Sequence, residues 1–208
     1  MKTILETKNL KKYYGDGDLQ VKALDGVDLR NVRIPDAQET LWLCRNVRLR
    51  DVWVSNADYL FMHSADIDID RYRQEGNYSF QYCRNVVIRN AGIHSKDAFW
   101  NTENVTVYDS SLSGEYLAWH SRGLRLVRCH ISGTQPLCYC KGLVLEDCTF
   151  DADADLAFED SDVNATILSH VTSVKNPRTG SIRARSIGEL IIDANILPPA
   201  DCRIVTES

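Results

Sequence analysis

Residues suited to binding chemistry recur at a fixed interval through the middle of the chain. Six short segments combine an aliphatic or aromatic residue with a polar or aromatic one, and each starts 19 or 20 residues after the last. They are Leu41-Trp42-Leu43-Cys44, Phe61-Met62-His63-Ser64, Phe80-Gln81-Tyr82-Cys83, Phe99-Trp100-Asn101-Thr102, Ala118-Trp119-His120-Ser121 and Leu137-Cys138-Tyr139-Cys140. Aromatic rings stack on ligands or partners, while hydroxyl, imidazole and amide groups form directional hydrogen bonds. The series therefore indicates a binding surface.

The direction of these side chains follows if each segment is a strand, because side chains then alternate between two faces. The polarity of the column containing His63 and Tyr82 favours an outward direction for that column. The predicted outward set is Phe61, Phe80, Phe99 and Leu137 together with His63, Tyr82, Asn101, His120, Tyr139 and Glu159. The predicted inward set is Trp42, Met62, Trp100, Trp119, Cys138 and Phe158. The opposite register is the alternative. A contiguous apolar patch usually marks an interface or a ligand groove.

No catalytic residue or metal ligand stands out from the other polar residues. A glycosidase needs two carboxylates about 5 to 9.5 Å apart, but spacing selects no pair among Asp97, Asp109, Glu115, Asp147, Glu159 and Asp160. His63 and His120 lie three repeats apart, about 14 Å in a stacked sheet, and cannot share a metal ion. Asp151, Asp153 and Asp155 are followed by Leu156 where a calcium loop requires glycine. We expect neither metal nor cofactor.

An internal repeat positions these residues. Asn, Gly or Asp followed by aliphatic, any residue and aliphatic occurs at spacings of 20, 20, 19, 19, 19 and 19, beginning at Gly26, Asn46, Asp66, Asn85, Asn104, Gly123 and Gly142. Each repeat contains three short alternating segments, a strand pattern. Rungs that stack about 4.8 Å apart pair every backbone group with a neighbouring rung. The sequence predicts an all-β, right-handed, single-stranded parallel β-helix (a solenoid) of about nine rungs over residues 21–205, with 1–20 as a leader or cap.

The composition indicates which partners and which cellular compartment to expect. The net charge of −5 argues against a nucleic-acid partner, and the lack of an apolar run of about 18 residues argues against a membrane span. Seven cysteines form no CxxC pair, and most fall at repeat positions otherwise held by small residues. We expect reduced, buried thiols in a cytoplasmic protein; binding of a soft metal by stacked sulfurs is the alternative.

From about residue 40 to 205 the chain resembles a bacterial family known as domain of unknown function 3737. The segments that carry the resemblance are Asn77-Tyr78-Ser79-Phe80-Gln81-Tyr82, Lys96-Asp97-Ala98-Phe99-Trp100, Gly114-Glu115-Tyr116-Leu117-Ala118-Trp119, Gly133-Thr134-Gln135-Pro136-Leu137-Cys138-Tyr139-Cys140-Lys141-Gly142 and Ser173-Val174-Lys175-Asn176-Pro177. The resemblance implies a β-helix and no particular activity.

Residues 4–29 resemble a different family, the ABC transporter ATPases. Ile4-Leu5-Glu6-Thr7-Lys8-Asn9-Leu10-Lys11-Lys12-Tyr13-Tyr14-Gly15 and Val21-Lys22-Ala23-Leu24-Asp25-Gly26-Val27 are similar to the opening strand of those enzymes. In that family an aromatic residue near Tyr13 or Tyr14 stacks on adenine. No Gly-x-x-x-x-Gly-Lys-Ser/Thr loop follows, so nothing can hold the phosphates. We expect no ATPase activity.

Three functions are compatible with these observations. The first is a non-catalytic structural or interaction module that associates with a second copy or another protein through the aromatic segments. The second is carbohydrate binding, since grooves on β-helices offer rings that stack on sugars. The third is a polysaccharide lyase or hydrolase, by analogy with pectin-degrading enzymes of this fold class.

Overall fold

The computed structural model describes residues 24–195 and 201–207. Within these ranges the chain forms strands and turns, without a helix. The strands are β1 (Asp28–Ile34), β2 (Arg45–Asp58), β3 (Ala65–Asn77), β4 (Arg84–Lys96), β5 (Glu103–Tyr108), β6 (Ser111–Ser113), β7 (Arg122–Val127), β8 (His130–Ser132), β9 (Leu143–Phe150), β10 (Asp162–Lys175), β11 (Thr179–Ile191) and β12 (Asp201–Thr206). The predicted leader, residues 1–20, lies outside the described residues.

Every strand pairs in parallel with the equivalent strand of the next rung. Ile69 pairs with Ile88, which pairs with Val107, and the same register continues through Leu126 and Leu145. The described chain is a parallel β-solenoid of about nine turns, which confirms the predicted fold. Its core lies inside the coil, where these aliphatic side chains are fully buried.

The repeated Asn, Gly or Asp marks the first corner of each rung, where the backbone has positive φ. The φ angle is 54° at Asn85, 56° at Asn104 and 64° at Gly123. Asn85 donates from Nδ2 to Asp66 Oδ1 (2.9 Å), and Asn104 donates to Asn85 Oδ1 (2.8 Å). Asparagine and aspartate tolerate this conformation better than other side chains do, and their stacking adds a hydrogen bond between rungs.

The cysteines form part of the buried core, as predicted. Cys202 is half-buried and the other six are buried, and all seven are free thiols. Cys83 Sγ donates to the Phe61 carbonyl at 3.0 Å. Burial raises the pKa of Cys83 to about 12 and the pKa of Cys44 to about 11. These thiols therefore stay protonated and fill narrow space beside the backbone.

Candidate functional site

The side of each rung that precedes the first corner, here called the aromatic side, is not a strand. It comprises residues 59–64, 78–83, 97–102, 115–121, 134–140 and 155–161, where turns replace extended backbone. In one rung Tyr78, Phe80 and Tyr82 all have φ between 52° and 58°. The backbone N–H of Phe80 donates to Leu60 in the preceding rung, and that of Tyr82 donates to Trp100 in the following rung. Side chains two positions apart can therefore face in opposite directions.

This geometry corrects the predicted outward direction of Phe61, Phe80, Phe99 and Leu137. All four are 0% exposed. The ring centroids of Phe61 and Phe80 are 4.8 Å apart, and those of Phe80 and Phe99 are 5.4 Å apart. The prediction was wrong because period-2 alternation holds only for extended backbone. These phenylalanines form an internal stack and cannot contribute to a surface.

The predicted inward set also divides in two. Cys138 and Phe158 are buried, as predicted. The other four side chains are partly exposed on the outside of the aromatic side, which contradicts the prediction for Trp42, Met62, Trp100 and Trp119. Tryptophan has an N–H that needs a partner, and Trp119 Nε1 donates to the Gln135 carbonyl at 3.0 Å.

The column two residues after the phenylalanines faces outward, as predicted. His63, Tyr82 and His120 are exposed, and Asn101 and Tyr139 are half-buried. The rings of His63 and Tyr82 stack at 4.7 Å, and those of His120 and Tyr139 stack at 5.0 Å. His63 and His120 therefore belong to separate ring pairs. Among the described residues, no group of three or more His, Cys, Asp and Glu side chains is placed to hold a metal ion.

Glu159 belongs to a different column from the predicted one. Tyr139 N–H donates to the Glu159 carbonyl, as His120 N–H donates to Cys138 in the rung before, so Glu159 follows the Cys138 column. Its carboxylate pairs with Lys175 Nζ at 2.7 Å. The inserted residues before Leu156 shift the alignment by one position, which simple counting did not reveal.

The aromatic side also contains a groove that was not predicted from the sequence, here called the aromatic groove. It has a volume of about 380 Å³. Its walls are aromatic: Tyr59, Tyr78, Trp100, Tyr116 and Trp119. Its polar lining consists of Gln81, Lys96 and Asp97. The sequence does contain a signal for it, because Tyr59 and Tyr78 are 19 residues apart and Tyr116 follows two intervals later. These tyrosines precede the six repeated segments from which the binding surface was predicted.

The groove exists because a column of stacked rings is interrupted. Tyr59 and Tyr78 stack with centroids 4.8 Å apart, and Tyr116 occupies the same column two rungs beyond Tyr78. Asp97 holds the position between them, since Tyr78, Asp97 and Tyr116 each donate a backbone N–H to the following rung in the same pattern. A short carboxylate at this position leaves the space of a missing ring between two tyrosines.

Three polar groups under the groove make no side-chain hydrogen bond with a described residue. Asp97 is 5% exposed, and no described side chain hydrogen-bonds to it. Gln81 Nε2 and Trp100 Nε1 are buried and donate to no described residue. Leaving a buried polar group unpaired costs about 1–3 kcal/mol. Two donors of the lining, on Gln81 and Trp100, are thus buried and unpaired, and the Asp97 carboxylate beside them accepts no side-chain hydrogen bond from a described residue. Such groups are typical of a ligand site rather than of a packed core.

Charges at the groove modify the acidity of Asp97. Desolvation raises the pKa of Asp97; the charge of Lys96 lowers it and that of Glu115 raises it. Lys96 Nζ lies 5.2 Å from the centroid of the Tyr116 ring and 3.6 Å from Glu115 Oε2. The ammonium group is therefore held between an aromatic face and a carboxylate at the edge of the groove.

Comparison with known proteins identifies the family. The family described as "Protein of unknown function (DUF3737)" matches residues 8–205. The chain belongs to this family. The match begins before residue 40, so it also covers most of the segment that resembles ABC transporter ATPases, and that segment is part of the family's own sequence. No curated protein matches the chain. In the described residues, no helix is long and apolar enough to cross a membrane.

Proposed function

We propose that this protein binds carbohydrate in the aromatic groove. The observation that carries the proposal is the coincidence of aromatic walls with the unpaired donors of Gln81 and Trp100 and the buried carboxylate of Asp97. A sugar ring presents apolar faces that stack on aromatic rings and hydroxyl groups that both donate and accept hydrogen bonds. It would fill the interrupted tyrosine column and supply partners for all three polar groups.

Binding requires a small adjustment of the groove. Gln81 Nε2 and Trp100 Nε1 lie just beneath its surface, so the side chains above them must move for a ligand hydroxyl to reach them. The half-exposed rings of Tyr78 and Tyr116 are the side chains that border the gap. Rotamer changes of this kind are common at binding sites whose backbone stays fixed.

The setting we propose is the bacterial cytoplasm, since seven unpaired thiols are typical of a reducing compartment. The proposal is limited to binding. A pectin-lyase-like fold offers only an analogy for hydrolysis or lyase chemistry.

Calorimetric titration with a panel of neutral, amino and acidic oligosaccharides tests the proposal. Tyr116→Ala removes one wall of the groove, and we expect about tenfold weaker binding, equivalent to about 1.4 kcal/mol. Tyr108→Ala is the matched control, because Tyr108 is also half-buried and also lies near a cation, with Arg89 5.7 Å from its ring. Equal losses in both variants, or no binding by the wild type, would contradict the proposal.

Self-association is a second candidate, favoured by the exposure of Leu43 (41%) and Tyr82 (40%) on the same side. Light scattering after size exclusion would detect a dimer in the wild type and its loss in Leu43→Ser, Tyr82→Ser protein. A wild-type monomer at all concentrations would remove this candidate and leave the carbohydrate proposal unaffected.

A further inference from the structure

We infer that the aromatic groove selects a sugar ring bearing a free ammonium group, as in an amino sugar. This inference rests on the proposed carbohydrate function and specifies its ligand class. It follows from the residue that interrupts the tyrosine column. Asp97 lies under the gap between Tyr78 and Tyr116, is 5% exposed and has no described side-chain hydrogen bond. A carboxylate in that position pairs best with a positively charged donor.

The charges around the gap also favour a positively charged ligand. Asp97 and Glu115 each bring a negative charge, and Lys96 brings one positive charge, so the three together carry −1. The whole chain carries −5. A uronic acid would place a third carboxylate near Asp97 and Glu115, and like charges at short range repel strongly where water is excluded. An ammonium group would instead neutralise the combined charge of −1 of these three side chains.

Lys96 shows that this part of the groove accommodates an ammonium group. Its Nζ lies 5.2 Å from the Tyr116 ring centroid, within the range of a cation–π interaction. The ammonium group of a bound amino sugar would take a similar position, nearer to Asp97. Lys96 would then keep its ion pair with Glu115, which is 3.6 Å away at the groove edge.

The remaining polar groups complement the rest of such a ligand. Gln81 Nε2 and Trp100 Nε1 are both donors and would serve ring hydroxyl oxygens. Asp97 is the acceptor and would take the ammonium group. An N-acetylated sugar lacks that charge and adds bulk at the same atom. The lining thus distinguishes a free amine from its acetylated form.

Titration calorimetry at low ionic strength tests this inference with four probes: oligosaccharides of glucosamine, N-acetylglucosamine, glucose and galacturonic acid. We expect the glucosamine oligosaccharide to bind at least about tenfold more tightly than its N-acetylated form, and its affinity to fall with added salt. Asp97→Asn, checked for an unchanged fold by circular dichroism, should abolish that preference while retaining binding of the glucose oligosaccharide.

The outcomes separate the inference from the proposed function. Equal binding of glucose and glucosamine oligosaccharides would overturn the inference and leave the carbohydrate proposal standing. Tightest binding of the galacturonic acid oligosaccharide would also overturn it. Binding of none of the four would contradict both.

Lys96→Met provides an independent test. Removing the resident cation should strengthen binding of the glucosamine oligosaccharide severalfold, because no internal ammonium group then competes for the Tyr116 face. Lys141→Met, which removes an exposed lysine from the first corner, is the control and should change nothing. Weaker binding in Lys96→Met would mean that Lys96 itself contacts the ligand, and would overturn the inference.

Discussion

The strand sides and the aromatic side of each rung bury their side chains by different rules. On the strand side, Val86 and Ile88 are buried while Val87 between them is partly exposed, the alternation of extended backbone. On the aromatic side of the same rung, Phe80 is buried and Tyr82, two residues later, is 40% exposed. Stacking tolerates this irregular side because its N–H groups still find carbonyl partners in neighbouring rungs.

The two regions also differ in how their polar groups are satisfied. On the outer surface of the strand sides, charges pair between rungs, as when Arg125 Nη2 pairs with Glu146 Oε1 at 2.7 Å. On the aromatic side, Gln81 and Trp100 keep unpaired donors beneath the groove. The polar groups of the regular sides are therefore satisfied within the protein, and the irregular side supplies the groups that a ligand could use.

Removing a ring from the internal stack should have the largest effect. Phe80→Ala leaves a cavity between Phe61 and Phe99, and we expect a loss of about 3–5 kcal/mol in the free energy of unfolding. Urea denaturation measures this loss. Tyr82→Ala, on the exposed column of the same rung, should lose less than about 1 kcal/mol. Similar losses in the two variants would contradict the inside–outside assignment.

Substitution of the glycine at the corner that leads into the aromatic side should lower the free energy of unfolding by nearly as much. Gly114 has a φ of 135°, and a Cβ there would lie 2.3 Å from the Ser95 carbonyl oxygen. We expect Gly114→Ala to lose about 3 kcal/mol through strain and overlap. Gly142, at the first corner, has open space for a Cβ, so Gly142→Ala should lose only about 1 kcal/mol. Thermal or urea unfolding of both variants gives the comparison, and the reverse order would contradict it.

The sequence could predict the strand sides because their repeat has one physical cause. Stacked rungs place Asn46, Asn85 and Gly123 at the same corner, so the 19–20-residue interval specifies both the parallel sheet and its register. The small-residue ladder of Cys44 and Cys83 followed from the same alignment and is confirmed by burial.

The aromatic side could not be resolved in the same way. Its positive φ angles fall on residues such as Phe80 and Tyr82, whose types give no signal of that conformation. Counting positions therefore gave the right face to the column of Tyr82 but the wrong face to Phe61, Phe80, Phe99 and Leu137, and it placed Glu159 in the wrong column. The groove depends on which rings face outward, so it became visible only with the backbone conformation known.

Buried thiols should make the irregular side sensitive to alkaline pH. The folded pKa of Cys83 is about 12 against an ordinary value of 9.0, so its contribution is complete below pH 9 and is lost as pH rises toward 12. Between pH 7 and pH 10 this thiol should cost about 1 kcal/mol of stability. Urea unfolding of wild type and Cys83→Ala at both pH values measures it: the variant should lose that much less stability on going to pH 10. Equal losses would mean that the thiol titrates normally in the folded protein.

The smallest effect is expected on the strand sides, where exposed ion pairs join the rungs. Arg125 and Glu146 approach to 2.7 Å, yet their side chains are 51% and 42% exposed, so water solvates both charges and the pair contributes little to stability. Arg125→Ala should leave the urea midpoint unchanged within error, at low and high salt alike. A clear salt-dependent loss would show that the outer charge ladders, and not only the buried stacks, hold neighbouring rungs together. In that case the outer surface of the strand sides would also contribute to the free energy of unfolding, and the buried interior would not be the only source of stability.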